Sequence, residues 1–198
     1  MIHPRVVKTA AASVILLASA RAAQRGVSQP ENRIYRAVND LPDDIAPAAW
    51  LPMQAGALAY PLMLSGSIYW RTRTPQPAIS IAAAGVSAWL GAKIVKKAVG
   101  RGRPYDFDQS TNLRLGTQTE GSLGFIAGHA AGSFAVASVV SDRLVPIPGV
   151  AAYAAAATAS VSRLYVGAHL PLDIVGDAAF GIVLGEIAEV IASKIRVA

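Results

Sequence analysis

Cysteine is absent from the 198 residues, so neither a disulfide framework nor a thiolate metal site can form, and protein thiol redox chemistry is excluded. Charge is scarce as well. Only 15% of the residues are Asp, Glu, Lys or Arg, against roughly a quarter in an ordinary soluble domain. Aromatic residues make up 7% and do not interleave with the basic clusters, and no basic helix is present; the stacking platform and electrostatic stripe of a nucleic-acid binder are both missing. There is no internal repeat, low-complexity tract or second domain, and 1–198 reads as one unit.

What is abundant is apolar sequence, at 53% of the chain. It recurs in six stretches, roughly Val6–Ala23, Ala48–Trp70, Ala78–Val95, Leu123–Val140, Val145–Ser162 and Leu172–Ala192. Each approaches the ~20 residues that cross a ~30 Å hydrocarbon core. The fold class expected is therefore all-α, a six-transmembrane-helix bundle embedded in the cell membrane. Residues 1–44 would hold the first span plus an interfacial segment, and 45–198 the catalytic core. Ala18-Ser19-Ala20 also resembles a signal-peptide cleavage site; a retained first span is preferred. Trp50 and Trp70 are spaced to mark the two interfaces of one helix. Gly124, Gly128 and Gly132, then Gly181 and Gly185, recur every fourth residue, a spacing that lets helices approach closely in lipid. Between the first two spans, Ile34, Val38 and Leu41 at helical spacing in Glu31–Leu41 predict a short interfacial helix, either a spacer or a substrate gate.

The net charge is +6, and its carriers sit in short clusters at the ends of apolar runs. Lys96 and Arg103 follow the third run, Gly128-His129 lie near the start of the fourth, Arg163 ends the fifth, and His169 precedes the sixth. In an alternating topology these positions share one membrane face. Two histidines at helix starts meet unpaired amides and a positive dipole end, where anions bind. Lys96, Arg103 and Arg163 can surround such an anion, and phosphate oxygens suit guanidinium contacts.

The residues Lys96, six intervening positions and Arg103-Pro104, then Gly128-His129, then Ser162-Arg163, five positions, His169, three positions and Asp173, resemble the three-part signature of the type 2 phosphatidic acid phosphatase and vanadium haloperoxidase superfamily. The resemblance covers about Ala48 to the C terminus. It implies that His169 attacks phosphorus to give a phosphohistidine, that Asp173 fixes its tautomer, and that His129 protonates the leaving oxygen and then activates water. Lys96, Arg103, Arg163 and the Gly128 amide would hold the phosphoryl oxygens, with no metal and no cofactor. A phosphorylated lipid in the bilayer, phosphatidate-like or a polyprenyl phosphate or diphosphate, would be the substrate, and nucleic acid is not a partner. Relatives place the site outside the cytoplasm; the basic residues divide too evenly between faces to decide it. Where the family usually has Pro-Ser-Gly-His, this chain has Ile126-Ala127-Gly128-His129, which removes one hydroxyl donor. A catalytically silent lipid-binding protein and a vanadate-dependent haloperoxidase are the alternatives.

Other polar residues have plainer readings. Lys97 and Arg101 read as a basic flank, Asp106 and Asp108 as solvated loop residues, and Asp177 as an inward neighbour of Asp173. Glu186 and Glu189 lie near the far interface, where snorkelling or pairing with Lys194 would satisfy them.

Overall fold

Proline sets most of the helix starts. The computed structural model describes residues 3–54, 56–115, 117, 123–143 and 146–195. Among them lie nine α-helices and no strand: α1 (Pro4–Gln24), α2 (Gln29–Asn39), α3 (Ala46–Gln54), α4 (Ala59–Thr72), α5 (Pro75–Val99), α6 (Pro104–Phe107), α7 (Gly128–Ser141), α8 (Pro146–Tyr165) and α9 (Pro171–Lys194). In α1, α2, α5, α6 and α9 a proline occupies one of the first two positions, where its missing N–H is no loss and its fixed φ suits the first turn.

Helices α5, α7 and α9 form the centre, with α1 against α9, α4 against α5, α8 against α7, and α3 against α8. The core between them is built of small residues, among them Ala84, Ala88, Ala92, Ala131, Ala135 and Ala188, closed by Ile81, Val136 and Val139. Small size is what allows the contact. A Cβ at Gly181 would lie 2.7 Å from Phe134 Cβ and 2.9 Å from the Ala135 nitrogen, and one at Gly185 would lie 2.7 Å from Ser138 Cβ. The backbones of α7 and α9 therefore touch, which is how helices gain packing energy where lipid supplies no hydrophobic drive.

The structure corrects the expected elements in three places. The second stretch is not one helix: Pro52 removes an amide, Gly56 follows, and the chain breaks into α3 and α4, so Trp50 and Trp70 stand on different helices. Gly56 then packs against His129, 2.8 Å separating its would-be Cβ from the histidine Cβ. Gly124 lies before α7, against Gly102 and Asp173, so the small-residue series of that helix begins at Gly128. Helix α2 covers most of the expected interfacial segment; its protein-facing residues are Glu31, Tyr35 and Asn39, and Ile34 and Leu41 are exposed. Asn39 explains the choice. Its amide donates to the carbonyls of Asn112 and Tyr165, each at 3.0 Å, and its oxygen accepts from Asn112 N at 2.9 Å.

The third correction concerns the end of the bundle remote from His129 and His169. Glu186 pairs with Lys8 at 2.6 Å and accepts from Ser138 at 2.8 Å, and Glu189 pairs with Arg143 at 2.7 Å. Lys194 is not their partner. The first helix reaches these acids because it packs along α9, a tertiary contact that no sequence spacing announces.

By length and composition, α1 and the stretch Pro75–Phe107 containing α5 are apolar and long enough to cross a membrane. Helices α4 and α7 have 14 residues each, about 21 Å of rise, and α9 carries four acids. Val145, the expected first residue of the fifth span, lies outside the described residues.

Candidate active site

The turn between α8 and α9 is shaped by Gly167, whose φ of +77° only glycine adopts freely and whose absent Cβ would sit 2.6 Å from the Asn112 carbonyl. Ala168 N donates back to Arg163 O at 3.0 Å, closing the C-terminus of α8. The chain then passes through His169 and enters α9 at Pro171. Asp173, third in the helix, accepts from Leu170 N at 2.9 Å, which satisfies one of the orphan amides and fixes the carboxylate beside the histidine. His169 Nδ1 lies 3.4 Å from Asp173 Oδ2.

At the start of α7, Ala127 is the N-cap and supplies no side-chain hydrogen bond, so Gly128 and His129 begin the helix with open first-turn amides. Ala127 N itself donates to Asp177 Oδ1 at 2.6 Å. Asp177, read from the sequence as a neighbour of Asp173, thus holds the chain leading into α7. Arg103 precedes Pro104, and its backbone N–H donates to Asp106 Oδ2 at 2.6 Å. Asp106 is a cap and Asp108 is the ion-pair partner of Arg36; both are structural anchors of the loop.

These segments converge on one cavity of about 230 Å³, lined by Lys96, Arg103, Gly128, His129, Arg163 and His169 together with Trp89, Ala92 and Lys93. Six of the seven predicted residues meet there, and Asp173 stands buried behind His169. The volume is below the ~300–1,000 Å³ of pockets that enclose a drug-sized ligand. The two imidazoles differ in setting. His169 is 2% exposed, at the back, whereas His129 is exposed, at the mouth.

The cavity lining is rich in cations, with Lys93, Lys96, Arg103 and Arg163. Among the described residues neither Lys96 nor Arg163 makes an ion pair, and Arg163 Nε is buried without a hydrogen bond. Buried Arg101, by contrast, holds two carboxylates. Burial pushes the His169 imidazole down to about 4, against the opposing pull of Asp173. A lowered pKa keeps the ring neutral until pH falls through about 4.

Sequence reasoning missed Arg101, which is 3% exposed and donates to Asp173 Oδ1 at 2.9 Å. Its position two residues before Arg103 was the available signal, masked by the neighbouring basic residues. Trp89 and Lys93 were also missed. They lie two turns and one turn before Lys96 on α5, respectively, the Lys93 ammonium standing 4.0 Å from the Trp89 ring centroid at the cavity wall.

The chain belongs to the PAP2 superfamily, which it matches over residues 76–195. Its fold is similar to that of two solved structures, each at 18% identity. The transmembrane PAP2-type phosphatidylglycerolphosphate phosphatase from Bacillus subtilis superposes with a TM-score of 0.74, covering 96% of this chain and 98% of that one. LpxE from Aquifex aeolicus superposes with a TM-score of 0.72, covering 81% of this chain and 95% of that one. Among curated protein sequences none matches this chain.

Proposed function

We propose that the protein is an integral membrane lipid phosphatase that hydrolyses a phosphomonoester or diphosphate of a lipid through a phosphohistidine at His169. The observation that carries this reading is one cavity lined by two imidazoles and by Lys96 and Arg163, cations that make no ion pair among the described residues. A phosphoryl group supplies the missing negative charge, and its reaction needs mainly positioning and charge stabilisation.

With Nδ1 turned to Asp173, the opposite ring nitrogen of His169 is free to attack phosphorus. The N–P bond forms as the bond to the lipid oxygen breaks, and His129 donates a proton to that oxygen. Its exposed position at the mouth fits a leaving group that departs toward the membrane. Water then attacks the phosphohistidine, His129 accepts a proton from it, and the N–P bond breaks to release inorganic phosphate. The residues so used are this chain's own, and no metal enters the scheme.

The reading takes six spans with α2 at the interface; among the described residues α1 and the stretch containing α5 are long and apolar enough to cross a membrane, and the family resemblance favours an extracytoplasmic site. Because the chain has no cysteine, a single Gln109→Cys on the site side reports the face. A membrane-impermeant maleimide should label it in intact cells; labelling only after permeabilisation would reverse the orientation.

The activity itself is tested with purified protein in detergent against phosphatidate, phosphatidylglycerolphosphate and polyprenyl phosphate and diphosphate. Release of phosphate from at least one is expected, and binding without release from any would favour a silent lipid-binding protein. Ala127 bears on that alternative. It occupies the N-cap of α7, a position where serine is preferred by about 0.5–2 kcal/mol over alanine. Ala127→Ser should therefore keep or raise turnover, up to several-fold for one added hydrogen bond, and raise the melting temperature in detergent. A large loss of phosphate release would show that the pocket is built otherwise.

A further inference from the structure

The sequence Ser28-Gln29-Pro30-Glu31 has the spacing of a capping box, and Ser28 does cap α2, accepting from Glu31 N at 3.3 Å. The Glu31 carboxylate does not turn back to complete the box. It reaches across the molecule, where Oε2 accepts from Arg101 at 2.6 Å and Oε1 accepts from Leu172 N at 3.0 Å. Arg101 spans the gap: one guanidinium nitrogen holds Glu31 and, more loosely, Gly26 O at 3.4 Å, while the other holds Asp173 Oδ1 at 2.9 Å. Both side chains are buried, that of Arg101 at 1% exposure and that of Glu31 at 4%.

From this we infer that Arg101 and Glu31 are positioning residues, a relay that links the first turn of α2 to Asp173 and so sets the orientation and basicity of His169. The inference rests on the proposed role of His169 and adds to it the device that tunes the nucleophile. Asp173 has two oxygens with divided duties, Oδ1 on Arg101 and Oδ2 on Leu170 N and His169. Whatever Arg101 draws from the carboxylate is withheld from the imidazole. Glu31 in turn sets how much of the guanidinium is left for Asp173. A planar fork suits this task, since it holds two carboxylates at fixed angles where an ammonium is a single point charge.

A purely structural salt bridge would affect folding and leave the chemistry of folded molecules alone. The relay predicts opposite effects at its two ends. Arg101→Gln releases Asp173 to favour the imidazolium, so the acid limb of kcat/KM moves to higher pH; Glu31→Gln gives Asp173 the whole guanidinium, and the limb moves to lower pH. The other charged or titratable groups around His169 are Lys96, His129, Arg103, Arg163 and Asp177, and neither variant changes them. Loss of an outer-shell partner typically lowers activity about 10- to 100-fold. That range is expected in kcat for Arg101→Gln, with about three- to tenfold for Glu31→Gln, KM staying within about twofold in both.

The experiment measures kcat, KM and pH profiles for phosphate release from phosphatidate, per mole of monodisperse protein in detergent, with Arg101→Lys as the partial rescue. Opposite limb shifts with the loss in kcat support the relay. Limbs that stay fixed or move together, or losses confined to KM or to the folded fraction, overturn it. If Arg101→Gln does not fold, Arg101→Lys and Glu31→Gln carry the same comparison, with a lowered kcat at unchanged KM and a downward limb in the latter required. Full activity in His169→Ala would remove the nucleophile reading itself, whereas a dead His169→Ala beside wild-type Arg101 and Glu31 variants removes only the relay.

Discussion

His169→Ala should abolish phosphate release from every lipid that the unmodified protein hydrolyses. A covalent route has no bypass when its nucleophile is gone, and losses of at least ~10⁴-fold are the rule for such residues. The folded state should survive the change. His169 is 2% exposed and neutral, and an alanine there removes a ring while leaving Leu170 N on Asp173. The measurement is phosphate release alongside the melting temperature in detergent. An intact melting transition with undiminished release would end the phosphohistidine mechanism, and with it the assignment of Asp173 as the group that holds the ring.

His129→Ala should separate the two halves of the reaction. As general acid and then general base, His129 contributes about 10²–10⁴-fold, equivalent to about 3–5.5 kcal/mol of barrier, to turnover on a lipid with an alkoxide leaving group. With p-nitrophenyl phosphate the leaving oxygen needs no proton, so the first step survives while the second stays slow. Phosphoenzyme should then accumulate, visible as acid-labile, base-stable radiolabel on the protein after rapid quenching. Equal losses for the two substrates with no trapped label would show that the mouth histidine has another task.

How far the sequence carried this reading depended on the kind of contact. The site was legible because its residues stand at helix ends, and helix ends are marked by proline, glycine and the borders of apolar runs: Pro104 after Arg103, Gly128 before His129, Pro171 after His169. Their meeting in one cavity follows from the alternation of helices and needs no knowledge of side-chain packing. Arg101 and Glu31 were not legible for the opposite reason. They lie 70 positions apart, in segments where each resembles an ordinary solvated charge, and only the docking of α2 beside α9 brings them together. The same holds for α2 as a whole, whose exposed Ile34 obeys the apolar periodicity while Asn39, a polar residue, makes the buried contact. Hydrophobic pattern reports what faces lipid or core; it is silent about buried hydrogen bonding. The break between α3 and α4 was within reach, since Pro52, Gly56 and Pro61 fall within ten residues. Average apolarity concealed it.

The pairing of Lys8 with Glu186 has an implication for how this chain tolerates change. Glu186 and Glu189 are 3% and 4% exposed, and two of the cations that meet them, Arg5 and Lys8, come from α1, which lies outside the region that matches the superfamily. Trimming away that helix would strand an anion in a greasy setting, at several kcal/mol. Its neutralisation must therefore travel with it: a homologue that dispenses with the leading helix needs Gln or an aliphatic residue at position 186, and a chimera joining one protein's first helix to another's body inherits a charge mismatch at the end of the molecule farthest from the chemistry.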